Sequence, residues 1–416
     1  FLVDAHMNLG GIYRDLGNLD QALASTLKSL ELKPDNPSAH MNLGCIYKDL
    51  GNLDQALAST LKSIELKPDE SDALMNLGDL YQNLGKIKEA QKSFRKAAEC
   101  EPLSLERNMQ ANMILELLYE DNKDIDRCRE EFKSAINTIM RDKSLKYTDK
   151  DIEHGIFWLA YHNRSDDKQI LKSLSEALTS NKSLQESLGS MSKKRDSRQA
   201  DRIRVGIVSD FLSHHAVGLH FESLIQHLCF SGMEVVIFRG PNAKQTKEEL
   251  CTESKALWIK LPRSIKTSCD IVRSHDLDIL LYSEISMSAH SYTIALARLA
   301  PVQVVMPGHP NTTGIAAIDY FVSSSLVEDE DSDKFYTEKL IRLNRLTSTM
   351  QMPKLKHRKV ERSEFGFAEE TILVGFPHSI FKVHPDFDQI LVKLAVQIPD
   401  ITFIFFNSPS PILADK

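Results

Sequence analysis

Three short polar stretches join histidine, lysine, glycine and proline directly after apolar runs. They are "SDFLSHHAVGLH" from Ser209, "GHPNTTG" from Gly308 and "FPHSIFKVHP" from Phe376. His214 and His215 in the first are of the type that takes and returns a proton near neutral pH. Lys382 in the third is a cation in a loop. Taken singly, each stretch has an ordinary explanation. A loop histidine is usually hydrogen-bonded at the surface, Gly308 and Gly314 can serve a tight turn, and Lys382 can be a solvated lysine. In open parallel sheets, however, ligands bind beyond the carboxyl ends of the strands. Three such stretches at three strand ends, in chain order, point to one site.

The elements that must carry these loops begin at Arg204. The runs "RVGIVSDF", "MEVVIFRG", "LDILLYSE", "VQVVMPG" and "AIDYFVSS" are short, apolar and rich in β-branched residues. Helical segments such as "FESLIQHLCFSG" separate them, which predicts a parallel α/β sheet over residues 201–350. After the polar "KHRKVERSEFGFAEE", a strand "TILVGF", a helix "DFDQILVKLAVQIP" and a strand "ITFIFFNSP" open a second α/β domain over 371–416. A domain of this kind needs about 100 residues to bury a core. The second one is therefore expected to be incomplete, and the chain, which also begins at Phe1, to be a fragment at both ends.

Ahead of the sheet the chain repeats itself. The 31 residues from Ala5 and from Ala39 differ at three positions, and a third, more diverged copy starts at Ala73. Leu9-Gly10, Tyr13, Ala22 and Pro34 recur as Leu43-Gly44, Tyr47, Ala56 and Pro68, then as Leu77-Gly78, Tyr81, Ala90 and Pro102. A 34-residue period with these landmarks is the tetratricopeptide pattern. Small residues mark where the two helices of a unit cross closely, and the proline stops the second helix. Units of this kind stack into a superhelix, an α-solenoid with a concave groove, expected here over 1–104. Asn8, Asn42 and Asn76 recur at one repeat position and are expected to form a ladder along that groove. An amide side chain can pair with any peptide backbone.

Residues 105–200 read as a helical connector ending in a charged linker, 192–204. The 51 basic and 58 acidic residues give a net charge of −7, which supplies no reason to expect nucleic acid or an anionic membrane as partner. No apolar run reaches the ~20 residues needed to span a bilayer. Cys45, Cys100, Cys128, Cys229, Cys251 and Cys269 show no paired spacing, as expected of free thiols in a reducing cytoplasm.

Repeats, connector and loops together resemble the O-linked N-acetylglucosamine transferase family. The stretches that carry the likeness are "RVGIVSDFLSHHAVG", "LAPVQVVMPGHPNTTGIAAIDYFVSS" and "FPHSIFKVHPD", with "FWLAYHN" (157–163) before them. The bacterial SPINDLY-type branch and related bacterial N-glycosyltransferases are most similar. The resemblance implies a GT-B fold, two Rossmann-like domains facing across a cleft, the second truncated here. It implies inverting, metal-independent transfer of a sugar from a nucleotide-sugar to a protein side chain. N-acetylglucosamine from UDP-N-acetylglucosamine to serine or threonine is the expectation, with no cofactor and no metal.

Residue by residue, His214 matches the histidine of the family's Asp-Phe-x-x-His loop, a base or acceptor-side group. Gly308, His309, Pro310, Thr312, Thr313 and Gly314 match the loop that lines the sugar and acceptor side. Lys382 matches the lysine that neutralises the donor diphosphate. Ser379 stands where the animal enzymes carry glutamine, and "YSEISMS" (282–288) replaces a loop of different sequence in them. The ladder is where the family holds its protein substrate. An inverting displacement needs a proton acceptor at the attacking group and positive charge at the departing diphosphate. No Asp-x-Asp in a metal-holding context appears in the sheet region. The chain alone is expected to be inactive, because the part of the second domain that would bind the nucleoside base lies outside it. Two other readings stay open: a non-enzymatic repeat scaffold, and a GT-B enzyme with another donor sugar or a small-molecule substrate. Asp4, Ser38 and Asp72 beside the ladder disfavour a carboxylate-gripping adaptor, and a small substrate would need no groove.

Overall fold

Each 34-residue repeat folds as a helix pair. The pairs are α1 (Leu2–Asp15) with α2 (Leu19–Leu32), α3 (Pro37–Asp49) with α4 (Leu53–Leu66), and α5 (Ser71–Asn83) with α6 (Ile87–Cys100). The computed structural model describes residues 1–190, 202–213, 215–243, 255–347 and 360–405. His214, Cys251 and most of the expected linker lie outside the described residues. Gly17, Gly51 and Gly85 turn each first helix with φ of 78°, 81° and 72°, the left-handed conformation that a side chain disfavours. A Cβ on Gly10 or Gly44 would overlap the hydroxyl of Thr26 or Thr60, and one on Gly78 would overlap the Phe94 ring. Ala22, Ala56 and Ala90 are fully buried. The small residues are thus fixed by how closely the helices cross.

Successive first helices pack side by side, α1 on α3 and α3 on α5. Asn8, Asn42 and Asn76 therefore fall in a row, Asn8 exposed and the other two half-buried. The repeat register runs one helix further than expected. α7 (Leu105–Asn112) packs on α6, and its Ala111 joins the cluster of Leu74, Met75, Ala90, Phe94 and Ala97. Gln110 stands 34 residues after Asn76 and donates to Asp79 Oδ1 at 3.1 Å. α7, the first helix of the expected connector, supplies apolar cover to the third repeat. The compact unit containing the repeats runs through Tyr119 and, among the described residues, also holds Gly375–Val383 and 404–405.

The second unit takes in Glu120–Val374 and His384–Phe403. It unites the rest of the connector with the sheet. The connector contributes α8 (Asn122–Arg141), α9 (Ile156–Leu159), α10 (Asp167–Thr179) and α11 (Lys182–Leu188). The sheet has seven parallel strands in the order β3-β2-β1-β4-β5-β6-β7. The five runs read as strands are β1 (Arg204–Ser209), β2 (Glu234–Arg239), β4 (Ile279–Tyr282), β5 (Val302–Val305) and β6 (Tyr320–Ser324). Two edge strands extend it, β3 (Leu257–Lys260) and β7 (Lys339–Leu343). Helices α12 (Ala216–Phe230), α13 (Ile265–Ser274) and α14 (Ala289–Ala295) make the crossovers. Val205, Ile207, Val217, Phe221, Ile225, Val235 and Ile237 form the core beneath β1 and β2. Strand order reverses between β1 and β4, which places a ligand crevice at their carboxyl ends. Of the second α/β segment, β8 (Ile372–Phe376) and β9 (Ile401–Phe405) pair in a two-stranded sheet, with α15 (Pro385–Gln397) between them in sequence. The five cysteines among the described residues are free thiols.

Two connector histidines make this unit sensitive to acid. His154 lies edge-on to Tyr292, with ring centroids 4.4 Å apart, and His162 is buried beside Arg129. Burial lowers both imidazoles from 6.5 to about 4. The unfolded chain then binds more protons than the native one between those values, so the stability held above pH 6.5 is lost as pH falls toward 4. The expected loss approaches roughly 3 kcal/mol per histidine. Urea unfolding followed by circular dichroism should show a lower midpoint at pH 4.5 than at pH 7. Equal midpoints would mean that the two rings take up protons without cost.

Candidate functional site

Three loops meet at the carboxyl end of the sheet in the second unit. The first leaves β1 at Ser209. The Asp210 N–H donates to Glu284 Oε1 at 2.9 Å, and the Phe211 N–H donates to Ser209 Oγ at 3.0 Å. Asp210 is buried; its Oδ2 accepts the Ser288 hydroxyl. Burial raises its carboxyl above the usual carboxylate range. His215 caps α12, its Nδ1 accepting the Val217 N–H at 3.2 Å. His215 thus has a structural task, and His214 beside it lies outside the described residues.

The second loop follows β4 and contains Ser283, Glu284, Ser286 and Ser288. Ser288 caps α14 by accepting the Ser291 N–H at 3.1 Å while its hydroxyl reaches Asp210. The third loop follows β5 and contains the glycine-bounded stretch 308–314. A Cβ on Gly308 would overlap Ser283 O, so the second and third loops touch there through bare backbone. Gly314, at φ 72°, is pressed against the backbone of Leu171 on α10.

The expected residues of the third loop are placed as follows. His309 is buried, with Nδ1 at 3.0 Å from Ser286 Oγ and Nε2 at 3.2 Å from Phe157 O. Both ring nitrogens are engaged within the protein, and the ring lies 5.0 Å from that of Phe157. Thr312 Oγ1 donates to Glu338 at 2.6 Å; the Thr313 N–H does so at 2.8 Å, and the Thr313 hydroxyl also reaches this carboxylate. The threonine hydroxyls are turned into the loop's own support. Pro310 is exposed and lines a cleft of about 510 Å³ with Asn163, Arg164, Asp167, Lys168 and Phe335. Asn311 donates to Asp167 at 2.9 Å, and Asp167 is held from behind by the buried Arg129 at 2.6 Å. The sequence reading of the site did not include Glu284, Glu338 or Arg129. Only "YSEISMS", with its departure from the related loops, flagged Glu284.

The remaining expected residues belong to the first unit. Ser379 is exposed, and its carbonyl accepts the Lys382 N–H at 2.9 Å in a single 3-10 turn, Ile380–Lys382. Lys382 is exposed, with Nζ 5.9 Å from the centre of the Phe381 ring.

Comparison with known proteins bears on both units. Family models described as TPR repeat and tetratricopeptide repeat match residues 10–51, and 37–70 with 71–102. A probable UDP-N-acetylglucosamine–peptide N-acetylglucosaminyltransferase, SPINDLY of Oryza sativa subsp. japonica, is 30% identical over 154 residues, 35% of this chain and 16% of that protein. The Arabidopsis thaliana protein SEC, named for the same activity, is 20% identical over 223 residues, 50% of this chain and 22% of its own length. Over the stretches matched, the chain is similar to these O-GlcNAc transferases. A point mutant of the Thermobaculum terrenum O-GlcNAc transferase superposes with a TM-score of 0.66 at 20% identity, over 100% of this chain and 70% of that one. The family fold, a repeat solenoid followed by a GT-B-like domain, is the fold seen here. The match covers 16% of the length of the rice relative, about a sixth. No helix among the described residues is long and apolar enough to cross a membrane.

Proposed function

We propose that this chain is part of a protein glycosyltransferase that moves N-acetylglucosamine from UDP-N-acetylglucosamine to serine or threonine of proteins held by the repeats. The observation that carries the reading is the convergence of three polar loops at the β1/β4 strand reversal, in a chain that also carries a peptide-sized repeat surface. The names of the rice and Arabidopsis relatives supply the donor and the peptide acceptor.

In this mechanism the acceptor hydroxyl oxygen attacks the anomeric carbon as the bond to the diphosphate breaks. His214 takes the hydroxyl proton, and the departing diphosphate leaves with its negative charge beside Lys382 and Ser379. The transfer inverts the anomeric centre and uses no metal. Gly308, His309, Pro310, Thr312, Thr313 and Gly314 shape the sugar side, with Glu338 fixing the two threonines. Asn8, Asn42 and Asn76 grip the substrate backbone.

The test is incorporation of tritiated N-acetylglucosamine into protein by the native enzyme. Replacing the three asparagines together by alanine should leave the fold intact and weaken binding of a long acceptor peptide by roughly 1 kcal/mol per lost hydrogen-bonding residue. Undiminished peptide affinity in the triple variant would refute the tether. Absence of any label with the full-length native enzyme would refute the transferase and leave a repeat scaffold.

A further inference from the structure

One side chain at the end of the sheet has no part in the mechanism above and yet meets the loops after β1, β4 and β5. Glu284 is fully buried two residues past β4. Its Oε1 accepts the Asp210 N–H at 2.9 Å. Its Oε2 shares hydrogen bonds with the Ser209 hydroxyl, at 2.8 Å, and with the Ser283 hydroxyl. Its Cβ backs the turn of the third loop, where a Cβ on Gly308 would come within 3.0 Å of it. The Gly308 N–H in turn donates to Ser283 O at 3.0 Å. Both polar groups from β1 that meet Glu284 are themselves buried, so without it an N–H and a hydroxyl would be left unsatisfied in a dry interior.

We propose that Glu284 is a positioning residue that clamps the start of the loop after β1, at Ser209 and Asp210, against the turn at Gly308. Asp210, the next residue along that loop, is tied separately to α14 through Ser288. The loop is thus held from two sides by two carboxyl groups, of which Glu284 alone reaches both β1 and the Gly308 turn. Burial pushes the Glu284 carboxyl up to about 8, with the Asp210 charge adding to the rise. At neutral pH the group keeps its proton, and glutamine copies its shape: a carbonyl for the Asp210 N–H and an amide for the hydroxyl oxygens. Alanine removes both.

The experiment compares the native protein with its Glu284→Ala and Glu284→Gln variants by two readouts. The first is hydrogen exchange across 209–213 and is independent of any activity. Glu284→Ala should raise exchange there at least tenfold while β2 and β5 stay protected, and Glu284→Gln should match the native protein within threefold. The second readout rests on the transferase reading: in Glu284→Ala, kcat should fall about 10²-fold with KM for UDP-N-acetylglucosamine within threefold, and Glu284→Gln should restore kcat. Unchanged exchange in Glu284→Ala would overturn the clamp, as would a Glu284→Gln variant damaged as severely as Glu284→Ala. Should Glu284→Ala not fold, Ser209→Ala removes one of the three bonds to Glu284 together with the Phe211 N–H bond to Ser209 Oγ, so the Asp210 amide is the readout, and its unaltered protection would overturn the proposal equally. A native protein that transfers no sugar defeats the transferase reading alone, since the exchange measurement still decides the clamp.

Discussion

Lys382→Ala should abolish sugar transfer by the native protein. Lys382 ends a 3-10 turn that begins four residues past the end of β8, and its backbone N–H is bonded to Ser379 O, so the start of the side chain is fixed by that turn. Its ammonium group is exposed. In bulk water a unit charge pair 4 Å apart interacts by about 1 kcal/mol, and in a partly dry cleft by about 4 kcal/mol. A diphosphate gains negative charge as the sugar leaves, so this interaction is stronger in the transition state than in the ground state. Loss of about 4 kcal/mol corresponds to roughly 10³-fold in rate. Label incorporation should then fall to background. Lys382→Arg, which keeps the charge and changes its shape, should retain part of the activity. Full incorporation by Lys382→Ala would remove this residue from the donor site.

His214→Ala should lower turnover by about 10²-fold or more and leave nucleotide-sugar affinity nearly unchanged. The matching variant of the neighbouring histidine separates chemistry from packing. His215 caps α12 through the Val217 N–H, so His215→Ala should destabilise the helix start by about 1 kcal/mol and spare the proton transfer. Single-turnover rates for the two variants, with thermal melting of each, make the comparison. Equal turnover by His214→Ala and the native enzyme would return His214 to the ordinary loop histidines.

Much of this architecture is legible in the sequence because it is dictated by spacing. Gly10, Gly44 and Gly78 announce the helix crossing because no other residue fits there. The runs that became β1, β2, β4, β5 and β6 announce themselves because central strands of a parallel sheet are buried on both faces and read as continuous apolar stretches. β3 and β7 escape that logic. They are four and five residues long, lie at the sheet edges, and Lys260, Lys339 and Arg342 break their apolar pattern. The loops could be recognised from their residue types, but what holds them could not. A single glutamate reads as a solvated charge until distant residues converge on it, as Ser209, Asp210 and the Gly308 turn do on Glu284 and Thr312 and Thr313 do on Glu338. Arg129, within "DRCREEFK", sits among charges that suit an exposed helix face, yet it is buried beneath Asp166 and Asp167.

The union of connector and sheet in one unit sets the order in which the chain can fold as it is synthesised. The repeats need only their neighbours, so each pair can settle as soon as the next has emerged. The connector cannot. Asp151 waits for His290 across 139 residues, Asp167 for Asn311 across 144 and Phe157 for His309 across 152. At about 5–20 residues per second, synthesis of such a span takes roughly seven to thirty seconds. Through that interval Asp151, Phe157 and Asp167 of the connector face solvent or a chaperone rather than the residues that will meet them.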